Sequence, residues 1–562
     1  MPDERRITGA RFIAEFLHAY GVTHLFYVDA ILRKAMVDME ELGIRRVVTH
    51  SEKAAAYMAD GYARVSGRPG ACAAQSVGAA NLAAGLQDAW LAGVPVLALT
   101  GKKPPLFLHR NAYQEIDHWP MFQPVTKYNV DVSAPEQLPF YLRQAMRVAT
   151  TGRPGPVHVD LVGREARELE LATGFAPPEV EATYARYPAH RPQPDPASIE
   201  LAVQALGRAE RPILVAGGGV RTSGAHDALK AMAEGLQIPV ATSVNGKGTF
   251  DEGHPLSAGV VGSYSAWCAN QAVHEADLVI YIGSGTGDQT THNWQVPRIG
   301  ARVIQVDIAA DELGRSYPGT IGIHADARSA LEQLLAAGRR HASRDAWLAR
   351  VRALRQAFDE EHRARRESDD LPIRPERICR ELTAALPDDA ILVSDTGYTA
   401  IWAATMIQLR APQTFIRAAG SLGWGFPASL GAKCAAPGRP VICLTGDGGF
   451  WYHFAELETA RRHGIATVTV VNNNNGFSQG IPDVHRMYGD RPGNPGELYR
   501  FSDVSFAQVA RDMGGFGVRV TTPGEIAPAL QQAMAAGVPA VVEVMTDFSA
   551  RAPDPWAPPR EG

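Results

Sequence analysis

Asp447, in LTGDGG, and the run Asn472–Asn475, in VVNNNNGF, are the residues of this chain best suited to hold a metal ion. Aspartate and asparagine offer hard oxygen ligands. Mg²⁺ takes such ligands in a tight octahedron, using one or two from the protein and completing its shell with phosphate oxygens. Gly446, Gly448 and Gly449 flank Asp447 and let backbone approach a diphosphate closely. Amides opening the next helix favour its negative charge. Four consecutive asparagines are not all ligands; some cap turns. A GDG alone is a weak signal, and an asparagine run alone is a turn. Separated by one helix and one strand, they form a specific pattern.

Those elements must set both groups at one place. PVICLT and ATVTVVN read as buried strands, with AELETARRHG as the helix between them. Ligands of a parallel sheet sit outside the carboxyl ends of its strands, so two strand ends deliver Asp447 and the asparagines to one crevice. The same alternation fills the chain and predicts an α/β protein of three doubly wound parallel-sheet units. The first covers 1–175, with HLFYV, RRVVTH, ACAAQS, PVLALTG and a last strand PVHVDL. A Pro-rich linker, 176–196, leads to a second unit over 197–338. A charged helical stretch, read as a solvated face plus a second linker, precedes the third unit at 374–548. Residues 549–562 are a Pro-rich tail or a lid. The first and third units share a rhythm but no sequence repeat.

The bulk numbers narrow the function classes. A chain of 562 residues exceeds one core, since cores stop growing at roughly 250–300 residues. The net charge of -5, with both signs interspersed, argues against a nucleic-acid partner. No apolar run reaches the ~18 residues of a membrane span, and the charged start MPDERRITGARF lacks a signal-peptide core. Five scattered cysteines without a CxxC pair suit a reducing compartment, so a cytoplasmic protein is expected.

The segment from GDG to NNNNGF resembles the cofactor motif of thiamine-diphosphate enzymes, and within them the acetolactate synthase branch. The resemblance implies Mg²⁺ on Asp447, Asn474 and the backbone carbonyl of Gly476. It implies a glutamate that hydrogen-bonds the cofactor's aminopyrimidine and makes its amino group a base. RRVVTHSEKAAAYMADGYARVSGRPG resembles the segment that carries this glutamate, which falls on Glu52. Ser51 and Lys53 depart from the family's usual neighbours, and Lys53 can lower the pKa of Glu52 or face solvent. RAAGSLGWGFPASLGAKCA resembles the segment in which Gly420 offers a carbonyl to the pyrimidine and Leu422 wedges the cofactor bent. SDTGYTAIWAA puts Gly397, Tyr398 and Thr399 against the diphosphate. The units thereby become a pyrimidine-binding domain, a central domain and a diphosphate-binding domain. Glu52 and the metal residues lie in different ones. A homodimer or homotetramer with sites between subunits follows.

Substrate choice falls to the loops. Gln114, in HRNAYQEID, is similar to a glutamine that faces the reacting centre. Gln75, Ser76 and Asn81 follow a strand close to the pocket. FYVDAI replaces the family's Gly-Pro-Gly turn, making Asp29 a candidate proton carrier or a helix N-cap. His118 and His485 are further candidate acids. The family's central domain binds FAD in acetolactate synthases, and ADP or a CoA nucleotide in oxalyl-CoA decarboxylase and 2-hydroxyacyl-CoA lyases. GSGTGDQTTHNW lacks the arginines of the flavin-binding segment, which argues against FAD, while Asp307 suits a ribose hydroxyl and Lys247 a phosphate. The leading expectation is a lyase or transferase that decarboxylates a 2-oxo acid and joins the fragment to a carbonyl, or acts on acyloins. The alternative is cleavage or decarboxylation of an acyl-CoA, and a remote one is a non-catalytic cofactor-binding relative. Glu52→Gln is expected to retain cofactor binding and lose most turnover; a steady-state assay with a cofactor titration checks it.

Overall fold

In the computed structural model, which describes residues 5–339 and 344–559, the strands gather into three six-stranded sheets, each wholly parallel. The first holds β1 (His24–Tyr27), β2 (Arg45–Val48), β3 (Gly70–Gln75), β4 (Val96–Lys102), β5 (Tyr128–Val132) and β6 (Val157–Val162), in the order β2-β1-β3-β4-β6-β5. The second holds β7 (Pro212–Ala216), β8 (Val240–Thr242), β9 (Ser257–Val260), β10 (Leu278–Ile282), β11 (Val303–Asp307) and β12 (Ile321–His324), in the order β12-β11-β10-β7-β8-β9. The third holds β13 (Ile391–Ser394), β14 (Thr414–Arg417), β15 (Val441–Gly446), β16 (Val468–Asn473), β17 (Phe516–Val520) and β18 (Ala540–Met545), in the order β14-β13-β15-β16-β18-β17. Counted from its own first strand, the third sheet repeats the order of the first. The shared rhythm in the sequence is thus a shared topology. The second sheet follows the nucleotide-binding order, reversing between β7 and β10.

The central strands are apolar runs because both faces are covered. β7 and β10 are buried throughout. The strands that the apolar-run reading leaves out of the first and third units are β5, β14 and β17. β5 and β17 lie at sheet edges and are half-exposed for four of their five residues. A strand with one wet side carries polar residues and loses the continuous apolar signature.

The stretch read as a solvated face plus linker is a helix, Asp345–Arg366, that also buries a stripe: Trp347, Leu348, Val351, Leu354, Phe358 and His362. Its Trp347 indole donates to the carbonyl of Pro212 at the start of β7 (2.9 Å), which ties it to the central sheet. The tail crosses to the same domain. Asn270 donates to the carbonyl of Trp556 (2.9 Å), whose ring packs edge-on to His274. One apolar core runs through the central and third sheets, and another through the first and third. The third domain therefore shares a core with each of the others.

The contact between the first and third domains is a helix crossing. Glu52–Ser66 buries Ala55, Ala56, Ala59 and Ala63, and it meets the helix Gly425–Ala435. Small residues bring the backbones together. A Cβ on Gly61 would lie 2.1 Å from the carbonyl oxygen of Ala428, and one on Gly431 would lie 1.9 Å from that of Met58. Backbone cannot yield as a flexible side chain does, so a methyl here forces the helices apart. Gly431→Ala is expected to cost about 2–3 kcal/mol. Gly438→Ala, where a Cβ meets nothing, is expected to stay within about 0.5 kcal/mol of the parent. Urea unfolding of the two variants checks the difference.

Candidate functional site

β15 ends at Gly446, and Asp447 opens a one-turn helix, Asp447–Phe450. Asp447 is buried, accepts the amide of Gly476 at 2.8 Å, and is pushed up to about 6 by that burial. The asparagine run leaves the adjacent strand β16, and its four side chains divide their work. Asn472 accepts the hydroxyl of Thr546 (2.6 Å). Asn473 donates to Glu543 (2.8 Å) and accepts the amide of Asn475 (3.0 Å). Asn475 takes the left-handed conformation, φ 56°, that turns the chain. Asn474 donates to Ser478 (3.1 Å), while its Oδ1 is buried without a hydrogen-bond partner. A buried amide oxygen without a donor costs free energy unless something satisfies it, and a cation would. Close approach dictates the glycines here. A Cβ on Gly476 would lie 2.2 Å from the carbonyl oxygen of Tyr499, and one on Gly448 would lie 2.4 Å from the Phe477 ring.

Two buried aspartates that the sequence reading missed shape the neighbouring loops. Asp395 follows β13 and accepts the amides of Thr396 (2.8 Å), Gly423 (3.1 Å) and Gly425 (3.2 Å) and the hydroxyl of Thr445 (3.2 Å). Burial pushes it up to about 6. It joins the turn of Gly397, Tyr398 and Thr399 to the turn of Gly420 and Leu422. Gly397 and Gly423 supply the positive φ angles, 75° and 89°, that these turns need. Asp88 comes from the first domain, in the helix Gly78–Ala92, and accepts the amides of Ala419 (2.8 Å), Gly420 (3.2 Å) and Ser421 (3.0 Å). The available signals were a strand-end aspartate in SDTG and a lone acid in the small, apolar stretch LAAGLQDAWLAG. The crevice formed at the ends of β13, β15 and β16 includes the point where the strand order of the third sheet reverses.

Glu52 opens its helix at the equivalent end of the first sheet, and its carboxylate accepts from Asn81 at 3.1 Å. A Cβ on Gly78 would meet that carboxylate at 2.5 Å. No hydrogen bond joins Glu52 to the Asp447 crevice among the described residues. The Lys53 ammonium lies 5.6 Å from the Tyr57 ring centre and 5.7 Å from that of Tyr452. Gln75 ends β3, and the hydroxyl of Ser76 donates to Glu165 (3.2 Å). Gln114 lies in a turn with φ 62°. Asp29 does not cap a helix. It is exposed, pairs with Arg33 at 2.8 Å, and is held below the usual carboxylate range by that guanidinium and the Ala30 amide. His485 meets the Tyr499 hydroxyl (3.0 Å) on an exposed helix, and His118 is buried against Asp160 (2.8 Å).

A cavity of about 530 Å³ opens at the carboxyl ends of the central sheet, where the strand order reverses between β7 and β10. Gly218, Gly219, Ser284 and Asp307 line it. Arg64, Arg153, Arg221 and Arg439 line it as well, none of them from GSGTGDQTTHNW. Arg221 donates to the carbonyl of Phe415 (2.9 Å), and burial pushes it down to about 10. Lys247, expected to face a phosphate, does not. Its ammonium is buried on Glu252 (2.6 Å) and the carbonyl of Ile407 (2.7 Å), where it fastens the central domain to the third. An open recess of about 550 Å³, lined by Gly448, Trp451, Phe477 and Arg500, adjoins the Asp447 crevice.

The chain matches the thiamine pyrophosphate (thiamine diphosphate) enzyme family in three parts. These are its N-terminal TPP binding domain over residues 7–121, its central domain over 199–334, and its C-terminal TPP binding domain over 395–544. It is 34% identical to a probable acetolactate synthase large subunit of Methanocaldococcus jannaschii, over 96% of this chain and 92% of that one. It is 32% identical to the acetolactate synthase large subunit of Corynebacterium glutamicum, over 94% and 85%, and 32% identical to that of Lactococcus lactis, over 84% and 81%. Among the described residues no helix is long and apolar enough to cross a membrane. The chain belongs to the thiamine pyrophosphate enzymes, in their acetolactate synthase-like branch, and is a thiamine-diphosphate-dependent carboligase/decarboxylase.

Proposed function

We propose that this enzyme decarboxylates a 2-oxo acid, pyruvate first among them, and joins the remaining acyl unit to a second 2-oxo acid. The observation that carries this substrate class is the near full-length similarity to acetolactate synthase large subunits. Mg²⁺ is proposed on Asp447, Asn474 and the carbonyl of Gly476. The buried, unpartnered Oδ1 of Asn474 supports that ligand set, since the side-chain oxygens of Asn472 and Asn473 are occupied by Thr546 and the Asn475 amide. In this reading the backbone of Gly446, Gly448 and Gly449, with Gly397, Tyr398 and Thr399, receives the diphosphate. Gly420 and Leu422 receive the pyrimidine, and Glu52 supplies the carboxylate that bonds its ring nitrogen. Bound thiamine diphosphate supplies a carbon nucleophile and an electron sink for the pair left by departing CO₂. Gln114 and Asp29 are assigned to the substrate.

The domain limits that go with these roles are 1–175, 197–338 and 374–548, with 549–562 as tail or lid. Each site is completed by a second copy, in a cytoplasmic homodimer or homotetramer. The Glu52 carboxylate bonding within its own domain supports this, as do the exposed apolar residues Leu106 (73% exposed), Tyr113 (80%) and Met487 (74%). The arginine-lined central cavity supports a phosphate-bearing nucleotide, FAD or ADP, with Asp307 at its ribose.

Asn474→Ala is expected to raise the Mg²⁺ concentration needed for half-maximal activity at least about 10-fold. Asn472→Ala would instead act through stability. Turnover of pyruvate, acyloins and 2-hydroxyacyl-CoAs decides the substrate, and a response to CoA thioesters alone sinks the proposal. The nucleotide is identified by a flavin absorbance band in the purified protein, or by mass spectrometry of the acid extract.

A further inference from the structure

The turn that carries Gln114 is strained and thinly attached. Its backbone is left-handed at His109, Asn111 and Gln114, each at a cost of about 1 kcal/mol or more. Within the turn, Glu115 accepts the amides of His109 (2.7 Å) and Ala112 (3.2 Å). Its buried side-chain tie to the sheet is His118, which is 1% exposed and meets Asp160 through Nδ1 at 2.8 Å; Lys102 (3.9 Å from Asp117) and Asn129 (2.8 Å from the Trp119 carbonyl) hold its more exposed flank.

Asp160 belongs to a buried polar chain across three strands. The register sets Thr100 and Asp131 beside Asp160, and Asn129 beside His158. Two residues apart on β6, His158 and Asp160 share a face. Thr100 Oγ1 lies 2.8 Å from Asp160 Oδ1 and 2.6 Å from His158 Nε2. His158 Nδ1 lies 2.7 Å from Asn129 Oδ1. The Asn129 amide nitrogen donates to the carbonyl of Trp119 (2.8 Å), which fixes its orientation and leaves its oxygen as an acceptor. His158 Nδ1 therefore carries a hydrogen. The Thr100 hydroxyl thus sits between His158 and Asp160. Burial pushes His158 down to about 3, which keeps its imidazole neutral, while, against its burial, hydrogen bonds from His118 and Thr100 hold Asp160 below the usual carboxylate range.

Other charges face this chain. Lys102 Nζ lies 3.8 Å from Asp160, 2.9 Å from Asp131 and 3.9 Å from Asp117. Ligand atoms of His118, His158 and Asp160 also lie within 4.8 Å of one another, a spacing open to a metal ion. The hydrogen bonds already take His118 Nδ1 and both ring nitrogens of His158, and the Lys102 ammonium disfavours a second cation. Hydrogen bonds close the cluster.

We propose that His118, held by the buried Asp160 carboxylate, is a positioning residue that sets the Gln114 turn against the substrate. The proposal rests on the reading of Gln114 as a substrate contact. The test uses the full-length enzyme with thiamine diphosphate, Mg²⁺ and pyruvate. Gln114→Ala and His118→Leu should each raise KM for pyruvate about 10-fold, with kcat changed less. The double variant should be no worse than either single one, because both act through one contact. His118→Asn, which keeps a donor at the place of Nδ1, should bring KM back to within about 3-fold of the parent. Hydrogen exchange should quicken across 109–118 in His118→Leu while β6 stays protected; this readout needs no turnover. An unchanged KM in Gln114→Ala overturns the substrate role of Gln114 and the proposal with it. A raised KM in Gln114→Ala with parental values in His118→Leu overturns the anchoring alone, as do multiplying effects in the double variant. If His118→Leu does not fold, Thr100→Val removes the hydroxyl that holds Asp160 in position for His118. A raised KM and faster exchange then support the anchor, and parental values overturn it.

Discussion

The carboxylate of Asp88 is the group on which the arrangement of this enzyme turns. It is fully buried, it belongs to the first domain, and it binds three consecutive amides of a loop in the third. Arg64 holds it at 2.9 Å and grips Asp60 at 2.7 Å, while Asp60 accepts the Trp424 indole at 2.8 Å. Two carboxylates face one guanidinium, and backbone and indole N–H groups take up the surplus negative charge. Buried ions persist only when every partner is in place, and removing one from such a pair costs about 3–5 kcal/mol. The loop with Gly420 and Leu422 is therefore shaped by a domain other than its own. The neighbouring glycine-mediated helix crossing keeps the two domains close enough for that reach.

Within the third domain Asp395 plays the corresponding part, collecting amides from two turns and a hydroxyl from β15. The turns at the strand ends are consequently fixed before any ligand arrives, which lowers the ordering cost of binding. The asparagine run shows the same logic by subtraction. Three of its members are committed to neighbours or to the turn, and the fourth keeps an oxygen in reserve. Satisfied polar groups build the frame, and the unsatisfied one supports the proposed cation.

The strand order reverses between β1 and β3 in the first sheet, between β7 and β10 in the second and between β13 and β15 in the third. The first and third sheets share one order and carry Glu52 and Asp447 at equivalent ends. The central sheet has another order and opens onto the arginine-lined cavity. Those arginines come from the first domain (Arg64, Arg153), the central domain (Arg221) and the third (Arg439), so the lining there is a property of the assembled chain. Lys247 shows the converse. A lysine in a loop beside a nucleotide-like crevice is consumed by a buried ion pair that joins two domains.

The sequence by itself determined the α/β class, the three-unit order, the GDG and asparagine motif and the position of Glu52. These are local properties, strand followed by turn followed by helix, with residue types matched to hard-cation and diphosphate chemistry. The edge strands β5 and β17 were illegible because half-exposed strands lack an apolar run. Tertiary structure alone decided which asparagine keeps a free oxygen, that Asp88 and Asp395 hold the loops of Gly397 and Gly420, and that Lys247 is spent. It also decided that arginines from three domains meet in one cavity, and that His118 is buried against Asp160. Each of these depends on which distant groups satisfy a polar atom, and hydrogen bonds across tens to hundreds of residues leave no periodicity in the chain to read.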